Sequence, residues 1–428
     1  MKLTVTLLML LCGTVALAQP LTDSWIMNQG EYASYWQNTN GNPTNPSFVF
    51  YTTTTPANVT AVCQNDAYVY VQSEGMTTEM GQFLNPGAPA AQGYTFAFPK
   101  SPVEATTPVV SPKLGAIGML TNGVPIYGLS NAHYYNGTNN NGMGQGTWNV
   151  EVYKSEGFVL DATLGAHPQQ QGAYHSHAKP YRLYEASGTD VHSPIVGYAF
   201  DGFPVYGPYG YTDPMDATSA VTRMKTGFSL RNITTRTTLP GGVALTSANY
   251  GPAVNATYPI GTYIEDYEWL AENGGTLDVH NGRFCVTPEY PEGTYAYFVT
   301  IDEAGTPEFP YYIGIHYFGE PYTADITMGT VISVPSDAVC ADALGVGQVA
   351  INNTMAYPNP FQGGFTISLP DVSGSTLIEL YTPDGKRVFN KTITGNQVYV
   401  ELQGIAIEML ILKVTNNNKV YSTKMMMK

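Results

Sequence analysis

Apolar and polar residues alternate with a period of two through much of the chain. Ala67-Tyr68-Val69-Tyr70-Val71 and Tyr94-Thr95-Phe96-Ala97-Phe98 show the pattern most plainly, as strands with one buried face do. Asn122-Gly123 separates Ala116-Ile117-Gly118 from Ile126-Tyr127, which is a strong two-residue hairpin signal. Apolar runs over 197–206, 294–300 and 311–318 predict further strands. One stretch, Ile264 to Ala271, interleaves apolar and acidic residues and predicts a short helix. Residues 99–113 are Pro-rich and read as an extended connector. Residues 19–58, rich at first in Asn, Thr, Ser and Gln, read as a loosely ordered lead-in. Alternation returns near the end, in Phe365-Thr366-Ile367-Ser368-Leu369, Leu377-Ile378-Glu379-Leu380-Tyr381 and Val398-Tyr399-Val400-Glu401-Leu402. Turn signals at Asp384-Gly385 and Asn416-Asn417-Asn418 punctuate it. The expected fold is therefore mostly β. A large β-rich domain with long loops spans 59–325, a linker spans 326–353, and a small Ig-like β-sandwich spans 354–428.

Composition sharpens this picture. Only 12% of residues are charged while 43% are apolar, so the chain can bury a core and bulk disorder is excluded. Tyr numbers 32, Gly 44 and Pro 30, which suits short strands and tight turns. The net charge of −15 repels phosphate backbones and argues against nucleic-acid binding. The charge is uneven: residues 354–428 hold seven Lys/Arg and five Asp/Glu, whereas 19–353 hold ten and 28. That shift marks the boundary of the C-terminal domain.

Residues 1–18 have the form of a signal peptide. Lys2 precedes the apolar run Leu3–Leu11, and Ala16-Leu17-Ala18 supplies a cleavage site. No later stretch is long and apolar enough to predict a transmembrane span in the mature protein. Cys63, Cys285 and Cys340 then allow at most one disulfide and leave one thiol over. With no Cys-x-x-Cys pair, a thiolate metal cluster is not expected.

The chemistry is concentrated in histidines. His167-Pro168 is followed by Tyr174-His175-Ser176-His177, then by His192-Ser193-Pro194 and Asp201-Gly202-Phe203-Pro204. On a strand, residues two apart share a face, so His175 and His177 can present two imidazoles together. That pair could begin a divalent-metal site, with His167, His192 or Asp201 closing the shell. Asp201 could instead orient an imidazole from outside the shell. His-x-His pairs also arise on exposed strands, where tyrosines give them ordinary hydrogen-bond partners. His133 reads as a solvated loop histidine and His316 as a cross-strand packing residue, while His280 is ambiguous. Arg182 and Lys179 flank the motif. No Gly-x-Ser-x-Gly elbow, phosphate-binding loop or His-Glu-x-x-His helix is present, which weakens the classical serine hydrolase, nucleotide-dependent and zincin readings.

These residues carry two family resemblances. Residues 60–320 resemble the YHYH family through Asn122-Gly123-Val124-Pro125-Ile126-Tyr127, Gly172-Ala173-Tyr174-His175-Ser176-His177 and the block from His192 to Gly210. Thr287-Pro288-Glu289-Tyr290-Pro291 and Phe309-Pro310-Tyr311-Tyr312 complete the match. The resemblance implies a site at these residues and names no reaction. The chain departs from the family at Ser176, at Ala296 where relatives favour histidine, and at His280 and Ile315 where relatives carry cysteines. His280 could rebuild what Ala296 removes. Residues 354–428 resemble the type A C-terminal sorting domain of the type IX secretion system of Bacteroidetes. Tyr357-Pro358-Asn359-Pro360-Phe361, Asp384-Gly385-Lys386 and the strand Lys419 to Lys424 carry that likeness. It implies passage through the type IX machinery and delivery outside the cell or onto its outer surface.

The leading expectation is a secreted or surface protein with a divalent metal at His175 and His177, joined from His167, His192 and Asp201. Tyr174, Tyr206, Glu289 and His280 are candidates for outer-shell or substrate contacts. The alternatives are a non-catalytic binding module for a glycan, small molecule or protein partner, and a structural surface protein. Abundant Tyr and Asn motivate the glycan reading, since aromatic faces stack on sugar rings and amides read hydroxyls.

Overall fold

The computed structural model describes residues 20–322 except Pro86 and Pro112, residues 332–340, and most of 355–426. The segment 1–18 expected to be a signal peptide, most of the expected linker, and the Pro358-Asn359-Pro360 and Asp384-Gly385-Lys386 motifs lie outside the described residues. The chain divides into two compact units, 1–338 and 339–428. Among the described residues no helix is long and apolar enough to cross a membrane.

The first unit is organised by an eight-stranded mixed sheet. Its strands are β1 (Ala116–Leu120), β2 (Pro125–Tyr127), β3 (Ala166–Pro168), β4 (Tyr174–Ser176), β5 (Ile195–Ala199), β6 (Pro204–Tyr206), β7 (Gly282–Cys285) and β8 (Thr294–Phe298). Their spatial order is β3-β4-β2-β1-β5-β6-β8-β7. The centre is buried throughout β5, so its apolar run is continuous, as in a strand covered on both faces. Gly118 and Gly197 let β1 and β5 approach closely: an added Cβ would meet Tyr198 O at 2.4 Å and Met119 O at 2.6 Å. The β1–β2 hairpin turns at Asn122-Gly123, with Gly123 at φ +80° and its N–H donating to Leu120 O at 2.8 Å. Aromatic side chains fill much of the surrounding core, including fully buried Tyr174, Tyr198, Tyr206, Tyr297, Tyr312 and Tyr317.

Two segments depart from the sequence expectation. The polar lead-in forms a sheet, in which Tyr32–Asn38 pairs antiparallel with Phe48–Pro56. Cross-strand aromatic contacts hold it: Tyr35 stacks on Tyr51 at 5.4 Å and Trp36 meets Phe50 at 5.1 Å. Trp25 is buried against Phe98 and Tyr198. The stretch 264–271 is a 3-10 turn, Ile264–Asp266, followed by the strand Tyr267–Trp269, paired with Phe228–Leu230. Two of its acids, Glu265 and Asp266, are buried anchors. Glu265 meets Lys113 at 2.7 Å, and buried Asp266 takes a bidentate contact from Arg236 at 2.7 and 2.8 Å. The 99–113 connector is extended, and contains the strand Glu104–Val110, paired with His316–Gly319.

The second unit is β-rich. One sheet orders Met355–Tyr357, Gly364–Ser368 and Gln397–Glu401; the other orders Arg387–Ile393, Thr376–Tyr381, Met409–Asn416 and Lys419–Met426. Phe365, Ile367, Leu380, Leu412 and Val414 lie in one apolar cluster drawn from both sheets, which gives the sandwich architecture. In the first unit, Cys285 is buried with a free thiol.

Candidate metal centre

The site grows from the β3–β4 pairing at one end of the central sheet. His167 and His175 are direct cross-strand partners, and His177 follows β4 with its N–H on Gly165 O at 3.0 Å. Alternation sends the neighbours of these histidines the other way. Tyr174 donates its hydroxyl to Asp161, and Ser176 Oγ donates to Leu164 O at 2.6 Å and pairs with Tyr312 Oη at 2.6 Å. Asp161 is fully buried and also accepts from Thr163 N and Leu164 N at 2.9 and 2.7 Å. These contacts shape the loop that delivers β3, and make Tyr174 a brace beneath the site.

His167, His175 and His177 converge, each buried, with one ligand-capable nitrogen apiece inside a 4.8 Å limit. The ring centroids of His175 and His177 are 4.6 Å apart, and those of His167 lie 4.9 and 5.6 Å from them. Tyr127 stacks on His175 at 3.9 Å. His175 Nδ1 donates to Ala173 O at 2.8 Å and His177 Nδ1 donates to Gly128 O at 3.2 Å. Both carbonyls can only accept, so both rings hold their proton on Nδ1 and turn a bare Nε2 lone pair inward. Those two Nε2 atoms face each other at 2.8 Å. His167 Nε2 is buried without a hydrogen bond and has Glu156 Oε2 at 3.3 Å, a distance that counts as charge proximity.

Burial, reinforced by the charges of His177 and His167, holds the His175 pKa well below its usual value. Burial and then His167 take His177 down to about 3. For Glu156, burial works upward, but the contact with His167 and the charges of His177, His167 and His133 outweigh it and leave its pKa lowered. At neutral pH the centre is thus two or more neutral imidazoles facing an anionic carboxylate. Three such nitrogens would leave a tetrahedral ion one open position, where water could be activated or a substrate oxygen polarised.

Glu156 and His133 were not among the residues singled out from the sequence for this site. Glu156 ends the five-residue helix Val152–Glu156, which is too short to show a period; Glu151 caps it, accepting from Tyr153 N and Lys154 N at 3.0 and 2.7 Å. His133 sits half-buried on the strand Ser130–Tyr134 with its Nδ1 buried and unpartnered, and is not the solvated loop histidine expected. The remaining expected residues lie outside the trio. His192 packs against Tyr206 and Tyr211, with Nδ1 on Ser193 O at 2.8 Å. Buried Asp201 accepts from Tyr297 Oη at 2.5 Å and Gly319 N at 2.9 Å. Tyr206 Oη donates to Glu289 at 2.9 Å, and His280 Nδ1 donates to His316 O at 3.1 Å. Ala296 is fully buried on β8, paired with Arg283.

A model of the YHYH protein family matches residues 95–310, half of the chain. A model of the secretion system C-terminal sorting domain matches residues 355–428. A search of curated proteins finds no match. Among solved structures the chain is similar to PorZ, described as an essential surface component of the type IX secretion system of Porphyromonas gingivalis. That likeness has 9% identity and a TM-score of 0.17, over 90% of this chain and 41% of PorZ. The chain thus matches less than half of PorZ, and the likeness is too weak to define a shared fold. The matched spans contain the histidine strands and the terminal sandwich respectively, so the chain belongs to the YHYH protein family and is delivered to the cell surface or beyond by a type IX sorting domain.

Proposed function

We propose that this is an exported metal-binding protein in which His167, His175 and His177 hold one divalent transition-metal ion. The observation that carries the reading is the 2.8 Å contact between two Nε2 atoms whose rings both spend their proton on a backbone carbonyl. Two lone pairs so close repel unless a cation stands beside them. A proton is a poor candidate at neutral pH, because burial opposes protonation of both rings. A metal fits: three imidazoles are the donor set that holds zinc with an open fourth position. Nitrogens bound at about 2.0–2.1 Å in a tetrahedron lie about 3.3 Å apart, so the rings part slightly on loading. The backbone carbonyls on Nδ1 are the outer contacts that such ligands ordinarily have.

Chelator-stripped full-length protein titrated with Zn²⁺ should show one saturable site. The His175→Ala/His177→Ala variant should lose more affinity than the roughly 10–100-fold that outer contacts are worth. Equal uptake by the two proteins would end the reading.

A further inference from the structure

A separate groove of about 750 Å³ runs along the first unit, lined by residues of the lead-in sheet and of the segments flanking the histidine strands. Its size falls within the roughly 300–1,000 Å³ of ligand sites. Phe158 and Tyr181 stand in it with 64% and 43% of their surface exposed, beside Trp36. Exposed rings occur singly elsewhere on the unit, but here they line one groove together, and grouped apolar surface rimmed by polar residues marks a binding site. Gln82, Arg182 and Glu79 line the same groove. We propose that this groove binds a neutral oligosaccharide.

The lining decides the class. Flat aromatic faces stack on the C–H faces of sugar rings, while amide and carboxylate groups exchange hydrogen bonds with hydroxyls. A lipid tail would strip water from the Gln82 amide and the Glu79 and Glu185 carboxylates, at a cost. An acidic glycan or a nucleic acid needs a free cation, and Arg182 is already committed. Its Nη1 donates to Thr78 O at 2.8 Å and Glu79 O at 3.3 Å, and its Nη2 faces Glu79 at 3.6 Å. Glu185, also in the lining, adds negative charge, and the whole chain carries −15. The walls are stiff: Arg182 N bonds Thr163 O at 2.8 Å, and Thr163 is tied to buried Asp161. Preorganised rings lose little entropy on binding. The proposal needs no metal.

The test is a glycan array of neutral and acidic oligosaccharides probed with the full-length protein, followed by calorimetric titration of the best neutral binder. Saturable binding of a neutral oligosaccharide is expected. Phe158→Ala and Tyr181→Ala, both at exposed positions, should each weaken it roughly two- to tenfold. Phe284→Ala, an exposed ring in a different cavity, should leave it unchanged. Absence of any saturable neutral binder, a preference for acidic glycans or peptides, or full affinity in the Phe158→Ala/Tyr181→Ala double variant would each overturn the assignment.

Discussion

At His175 three neighbours fix one ring: Ala173 O takes its proton, Tyr127 covers its face, and His167 stands opposite on the next strand. The pH response follows from such burial. The folded state of the metal-free protein resists protonating His175 and His177, whereas the unfolded chain takes up protons below about pH 6.5. The unfolded state therefore binds more protons between pH 6.5 and about 3, and the histidines' contribution is whole above 6.5 and lost as pH falls. Glu151 and Asp201 are raised by burial to about 7 and about 6, and act in the opposite sense, weakening the fold as pH rises through that window. Comparing metal-free wild type with His175→Ala/His177→Ala cancels them. Urea unfolding should show wild type losing more stability than the variant between pH 7 and 5, and equal losses would contradict the burial argument. The spacing of His175 and His177 was legible because strand alternation is local. His167 joins them through pairing, which spacing alone leaves open. His192 and Asp201 are near in sequence, but their partners come from β6, β8 and their surroundings.

The elements that bring the trio together are short, so single backbone positions carry much of their geometry. Gly165 has φ +57°, and an added Cβ would meet Ala178 O at 1.8 Å. Gly165→Ala should cost more than about 3 kcal/mol, measured by urea unfolding, and should displace His177, whose N–H rests on Gly165 O. The helix ending at Glu156 depends on Glu151, which caps it and accepts from Tyr311 Oη at 2.9 Å. Glu151→Ala should destabilise by about 1–3 kcal/mol, and an undiminished unfolding midpoint would refute the capping role. The strands of the central sheet were readable from alternation and from the Asn122-Gly123 turn. The lead-in sheet was not, because its polar composition hides cross-strand aromatic pairs that only register reveals. The helix expected at 264–271 failed because Glu265 and Asp266 pair with half-buried Lys113 and buried Arg236.

On the scale of the whole chain, each unit has its own apolar core, and function divides with it. The body carries the histidines and the acidic surface, and the terminal sandwich carries the export address. A chain ending at residue 354 should therefore remain inside the producing cell's envelope while taking up Zn²⁺ as the full chain does; fractionation and titration check the two halves. If a bound ion stabilises only the folded body, zinc at about 100 times its dissociation constant should add about 2.7 kcal/mol to unfolding. The most direct measurement of the central claim is anomalous diffraction at the zinc edge from crystals grown with the ion. A single strong peak is predicted about 2.0–2.1 Å from one nitrogen each of His167, His175 and His177. No peak there, with those rings unmoved in crystals saturated with zinc, would contradict it.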